Sequence, residues 1–392
     1  MDEQKAPKNK KTNIVLRVIA FIITALLVAG AIFLVVNHDR VNLDSLKRYF
    51  TYRSLERNDS GQAQSFPYSS SSSDVFAALG DDLLICSGGG VRLYSGGGVC
   101  YVEDSISLEY PAVDVCEDIA AVYSVGGNTV YLYRDREQYA VISDSEWVIL
   151  SARLNPDGWL AVTAQQPGYK AVVTVYDDEQ NKCAAFRLSS SFISDAVVTD
   201  DCNRIAVVSL GQDGTAFEST LSFYDLPDPN KAGVDYNLTP TLSQSLGNNV
   251  ILSLQGGDRI RCVGDYGISV WNGKELTTWS CQSKYLKAFS LSDNFTAMLI
   301  GKYRLSSQAE LYTIDEHGNP SVGRAINEQV LSMSAAGKYI AVLTANRLDI
   351  YNQDLDLYAT LEGTDGAKEV LMREDGSALL ISSDTAHLFV PD

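Results

Sequence analysis

The chain is 392 residues long, 45% hydrophobic, and carries 49 Asp and Glu against 31 Lys and Arg, a formal net charge of −18. This composition excludes a disordered chain, and so acidic a body is repelled by the phosphates of nucleic acid, which excludes nucleic-acid binding. Only three histidines are present, too few to support histidine-based nucleophilic catalysis with ease.

The charge is unevenly placed. Before residue 18, Lys5, Lys8, Lys10, Lys11 and Arg17 oppose Asp2 and Glu3, a local +3, so the remainder carries −18 − 3 = −21. Residues 1–13 read as a basic tail. Val18 to Val36 then run without a charge, and nineteen residues at ~1.5 Å rise span about 28 Å, close to a hydrocarbon core of roughly 30 Å. A transmembrane helix is expected over 14–36, with the basic flank in the cytoplasm and the rest of the chain outside. A cleaved signal peptide is the alternative, with Ala29 and Ala31 as the small-x-small site, but Ile32 to Val36 carry the apolar run past it.

Residues 37–73 read as a juxtamembrane stalk and linker. Within Asn42 to Arg57, Leu43, Leu46, Phe50 and Leu55 fall near one face of a short amphipathic helix, with Asn42 as its cap. Ser69 to Ser73 make a polar hinge.

Residues 74–392 hold an internal repeat. The segments VRLY, VYLY, VTVY, LSFY, ISVW, AELY, LDIY and AHLF end at Tyr94, Tyr133, Tyr176, Tyr224, Trp271, Tyr312, Tyr351 and Phe389, at spacings of 39, 43, 48, 47, 41, 39 and 38 residues. A period near 42 is that of a four-stranded propeller blade. Upstream of each aromatic lies a pair of strand patterns around a turn, as in SARLNPDGWLAVTA and VLMREDGSALLIS, where Asn155 to Gly158 and Glu374 to Gly376 supply the turn chemistry. These are strands A and B. The aromatic signature closes strand C, and a weaker pattern after it, such as KCAAFRL, is strand D at the rim. An all-β, eight-bladed propeller is expected, with seven blades as the alternative if the first and last patterns merge. Both faces of an inner strand are buried between neighbouring blades, so each aromatic reads as an inter-blade packing residue. The eighth copy ends without a strand D, and Gln64 to Tyr68 (QSFPY) is the segment expected to complete it and remove the open sheet edge.

With the basic tail, the span, the stalk FTYRSLERNDSGQAQSF and repeats such as GYKAVVTVYD and KYIAVLT, the chain resembles an uncharacterised family of membrane-anchored propellers of Gram-positive bacteria, a domain of unknown function. More broadly it is similar to the WD40-like and quinoprotein-like propellers. The Gly-His and Trp-Asp pairs of WD40 blades and the tryptophan docking motif of quinone-dependent propellers are missing, which removes the reason to expect a quinone. No cofactor is expected.

No GxSxG, HExxH or P-loop motif occurs. His38, His317 and His387 lie far apart in sequence. Carboxylates such as Asp177, Asp178, Glu179, Asp200, Asp201, Asp315, Glu316, Asp354 and Asp356 fall in turns, without the ligand spacing of an EF-hand, so no metal site is expected. The seven cysteines include no CxxC pair and several sit among apolar neighbours, the pattern of buried free thiols. Longer connections between strands B and C in blade 3 (Gln165 to Ala171), blade 4 (Gly211 to Thr220) and blade 6 (Lys302 to Ala309) carry Tyr169, Lys170, Phe217, Tyr303 and Arg304, residue types enriched at interaction hot spots. They are the candidate binding residues. Blade 4 also has a proline-rich excursion, LPDPNKAGVDYNLTPTL, between strands C and D. The function expected is a non-enzymatic platform that binds or scaffolds an envelope protein or a cell-wall ligand. The alternative is an envelope enzyme, a carboxylate-based glycan hydrolase or lyase using the channel.

Overall fold

The computed structural model describes residues 18–25, 28, 43–53 and 61–391, except 70, 72, 190, 215, 227–234, 237–238, 258, 282–283, 306 and 365. The chain divides into two units, residues 1–54 and residues 55–391. In the first, residues 18–25 and 28 are helical, while the other residues of the span expected over 14–36 lie outside the described residues. Among the described residues no helix is long and apolar enough to cross a membrane. A second helix, α1, runs from Leu43 to Tyr52.

The second unit is an eight-bladed propeller of four-stranded antiparallel sheets. Strands A to D of blade 1 lie between Val75 and Asp104, of blade 2 between Pro111 and Ser143, and of blade 3 between Val148 and Leu188. Blade 4 spans Phe192 to Ser245, blade 5 Ile251 to Ser280, blade 6 Tyr285 to Ile326 and blade 7 Val330 to Glu362. Blade 8 takes strands A to C from Glu369 to Phe389, and its fourth strand is Gln62–Pro67 from the other end of the unit. That strand pairs antiparallel with Thr385–Phe389, Ser65 opposite His387 and Phe66 opposite Ala386. The ring is thereby closed by residues more than 300 positions apart, and Pro67, which has no N–H to leave unpaired, stands at the end of the strand.

The core is a series of clusters between blades rather than one central mass. Tyr133 packs with Leu84 and Leu93 of blade 1, Tyr224 with Val173 and Phe186 of blade 3, and Tyr351 with Leu299 and Leu311 of blade 6. Phe223 and Trp271 meet across blades 4 and 5 with centroids 5.6 Å apart, and Trp279 and Tyr312 across blades 5 and 6 at 5.3 Å. Each repeated aromatic therefore seals its own blade against the one before, burying a large apolar area at an equivalent place.

Two features depart from a regular ladder. In blades 3 to 7 the third residue of strand A, or the second in blades 5 and 7, is skipped in the pairing: Leu150, Ser194, Leu252, Lys287 and Leu331 are single-residue bulges. Each bulge reverses the in-out phase of the strand from that point on. In addition, Asp235–Tyr236, from the proline-rich excursion of blade 4, pairs in parallel with strand D of blade 3 and covers its outer edge.

Candidate interaction face and central channel

The turns joining A to B and C to D open on one side of the ring, and those joining B to C and D to A on the other. Exposed apolar side chains are distributed very unequally between the two. On the BC and DA side they include Tyr110 and Val125 of blade 2, Tyr169 of blade 3, Phe192 and Phe217 of blade 4, Tyr266 of blade 5, Tyr285, Tyr303 and Leu305 of blade 6, and Leu331 of blade 7. Among the described residues, exposed large apolar groups in the other side's turns and at the strand ends beside them are fewer: Val99, Tyr101, Val322 and Leu357. The AB and CD turns instead carry Asp81, Glu117, Asp118, Asp157, Asp177, Asp178, Asp200, Asp293, Glu316 and Asp354.

All five candidate binding residues stand on the BC side and are exposed. Two of the three expected loops are not loops. In blade 3, strands B and C run on to Gln166 and from Tyr169, leaving a two-residue turn. In blade 4 they run on to Asp213 and from Ala216, a hairpin of two ten-residue strands that projects from the ring with Gln212 opposite Phe217. Only blade 6 has an irregular connection, between Gly301 and Ala309. Tyr169 lies against Arg187 of its own blade, with the guanidinium 5.8 Å from its ring, and Lys170 reaches the ring of Phe192 in blade 4 at 4.8 Å. Tyr303 has the Lys302 ammonium 5.5 Å from its ring. The structure thus brings Tyr169, Lys170 and Phe217 to adjacent blades 3 and 4, and sets Tyr303 and Arg304 apart from them, beyond blade 5.

The sequence offered the channel as an alternative site but did not identify the residues that line it. Its walls are the A strands, whose inner edges have no sheet neighbour among the described residues, and in blades 3, 7 and 8 side chains from the adjacent blade accept from some of their N–H groups. The Leu154 N–H of blade 3 donates to Asp114 Oδ2 of blade 2 at 2.8 Å, the Ala335 N–H of blade 7 to Ser290 Oγ of blade 6 at 2.8 Å, and the Met372 N–H of blade 8 to Ser334 Oγ of blade 7 at 2.9 Å. An edge that would otherwise recruit another strand is thereby capped. Arg153 of blade 3 donates to Asp114 of blade 2 through Nη1 and to Asp195 of blade 4 through Nε, both at 2.8 Å. Burial works against the charge on Arg153, but the two carboxylates outweigh it and hold the guanidinium well above its ordinary value.

The AB side is knitted together. Arg261 of blade 5 donates to the carbonyls of Ser292, Asp293 and Phe295 in the AB turn of blade 6, at 2.6, 2.8 and 2.9 Å. Asn155 Nδ2 donates to the Thr199 carbonyl across blades 3 and 4, and Ser292 Oγ to the Gly337 carbonyl across blades 6 and 7. Among the described residues no cluster of three His, Cys, Asp or Glu side chains is arranged to hold a metal ion. All seven cysteines are free thiols; Cys86 and Cys262, set among apolar neighbours, are buried as expected, as is Cys281, whereas Cys100 is exposed because it begins the rim strand of blade 1.

The fold is shared with WD40-like propellers of solved structure. Sqt1 of Saccharomyces cerevisiae superposes with a TM-score of 0.56 at 11% identity, covering 86% of this chain and 100% of that one. The C-terminal WD40 domain of Sif2 gives 0.54 at 12% identity, over 80% of this chain and 93% of that one. At such identities the likeness is one of fold alone. No curated protein matches the chain in sequence. The model of the family of unknown function DUF5711 matches residues 48–386, and the chain belongs to that family.

Proposed function

We propose that the chain is a non-catalytic, membrane-tethered docking platform whose propeller stands outside the cytoplasm and holds another envelope protein on its BC and DA side. The observation that carries the reading is the asymmetry of the ring: apolar and aromatic side chains are exposed along blades 2 to 7 on that side, while the opposite turns are acidic. Aromatic anchors with a basic companion, here Tyr169 with Lys170 and Tyr303 with Arg304, are the composition of protein-binding hot spots. The tether rests on the uncharged run Val18 to Val36 behind a basic tail.

Photo-crosslinkers placed at Tyr169 and Tyr303 in cells, with Asp178 on the acidic side as control, test the docking. One envelope protein captured from the first two positions and not from the third is the expected result. Capture of wall glycan alone would replace the protein partner by a wall ligand, and no capture at any position would overturn the reading. Retention of the chain in membranes through alkaline carbonate extraction, lost when residues 18–36 are removed, tests the tether.

A further inference from the structure

We propose that the central channel is a binding site for a primary alkylammonium group, entered from the AB side. This site is distinct from the docking face and does not depend on it.

A cavity of ≈ 200 Å³ lies at that end of the channel, lined by Asp114, Cys116, Arg153, Ser253 and Gln255 together with the apolar Val115, Leu154, Val197, Leu254 and Leu291. A single water needs only about 10–15 Å³ of such space, so the cavity accommodates a short aliphatic chain with a polar end. Arg153 of the lining pairs with Asp114, also of the lining, and with Asp195 behind it, so the three charges at this wall sum to one negative charge.

Two neutral acceptors accompany that charge. Ser253, only 8% exposed, contributes a hydroxyl to the lining. Gln255 holds a buried carbonyl oxygen without a partner. A buried oxygen of this kind costs stability unless something donates to it. The mouth adds a field of the same sign, because the carboxylates of Glu117, Asp200 and Asp293, drawn from blades 2, 4 and 6, all act on the Cys116 thiol, with Arg261 standing beside Asp293 as the compensating cation. Such a rim concentrates cations at the entrance.

The chemistry selects among cations. An ammonium offers three donors on a compact head, matching one carboxylate and two neutral oxygens, and its alkyl stem suits the apolar wall. A guanidinium requires a carboxylate free for bidentate pairing, whereas Asp114 already accepts from Arg153 and from the Leu154 N–H. The ammonium could be a free aliphatic diamine or a lysine side chain presented by a peptide.

The test is calorimetric titration of the full chain with 1,5-diaminopentane, Nα-acetyl-lysine amide, its Nε-acetylated form and 1,5-pentanediol. Binding of one or both amines, with at least tenfold weaker binding of the acetylated form and the diol, is expected. The diamine alone marks a free ligand and the lysine derivative alone a peptide side chain. Ser253→Val, which removes the hydroxyl and fills space, is expected to lower the affinity at least tenfold, and Gln255→Met is the second variant should the first not fold. In parallel, N-ethylmaleimide labelling followed cysteine by cysteine should slow at Cys116 when the amine is present and stay unchanged at Cys100. Absence of binding by both amines, or equal binding of the diol, overturns the proposal.

Discussion

Replacing Phe66 by alanine should open the ring at blade 8 without unfolding the other blades. Phe66 belongs to the closing strand, is 4% exposed, and stacks 5.6 Å from Tyr94 in strand C of blade 1. Its Cβ lies where a side chain on Gly98 would stand, 2.3 Å from the position a Cβ there would take, so the backbone of blade 1 has closed onto it. Truncating a buried phenylalanine costs about 3–5 kcal/mol. Because the closing strand is joined to the rest of blade 8 by its ladder with Thr385–Phe389 and the few bonds that Gly61 and Tyr68 make beside it, most of that cost should appear as local opening. At about 1.4 kcal/mol per factor of ten, opening becomes some two to three and a half orders of magnitude more frequent. Hydrogen–deuterium exchange read by peptide should show this acceleration in residues 62–68 and 385–390, with strands B and C of blade 4 unchanged. Unchanged protection in the closing pair, or equal loss in every blade, would refute the claim that closure is a separately held contact.

Three further predictions concern the rest of the ring. Gly90→Ala and Gly267→Ala should each lower the urea midpoint markedly while Gly88→Ala leaves it nearly unchanged. The first two glycines have φ of 149° and 150°, and an added Cβ would stand 2.0 Å from the Asp104 carbonyl oxygen and 2.1 Å from that of Trp279, whereas Gly88 has nothing closer than 3.6 Å. Arg261→Met should cost about 3 kcal/mol by leaving three carbonyls of the blade 6 turn without their donor, with Arg261→Lys recovering part of it; denaturation of both variants checks this, and a Met variant as stable as the parent refutes it. Glu369→Gln should stabilise the protein at neutral pH. Burial raises the Glu369 carboxyl above its ordinary 4.5, so the folded state holds the proton more tightly than the unfolded chain, and stability from this group falls as pH rises from 4.5 through the raised value. The advantage of the Gln variant should therefore vanish below pH 4.5 and be complete above the raised value, which thermal melts across pH will show.

The fold was legible because propeller blades repeat one packing problem. Tyr133, Tyr224, Trp271 and Phe389 recur at blade spacing since each fills the same gap against the preceding blade. Closure was legible for a negative reason: a last blade with three strands leaves an edge, and QSFPY was an extended apolar segment free to cover it. The residues of the channel wall were not legible. Asp114, Arg153 and Asp195 are single charges in three separate strands, and they meet only through the curvature of the ring. The bulges at Leu150 and Ser194 shift the phase of strands A just before Arg153 and Asp195, so simple alternation misplaces both side chains. The hairpin of blade 4 read as a loop because strands that project beyond the ring are wetted on both faces and lose the apolar alternation by which strands are found.

The pairing of Gln62–Pro67 with Thr385–Phe389 also sets an order of events during synthesis. The closing strand is among the first propeller residues to leave the ribosome, and its partner is among the last. Seven blades can form and stack while blade 8 is still missing, and throughout that interval Phe66 and the backbone of its strand wait without a partner, exposed to whatever other chain is near. A propeller of this kind completes itself in a single late step governed by the longest loop in the molecule, so mistakes of assembly, including exchange of the closing strand between two chains, should concentrate at this seam.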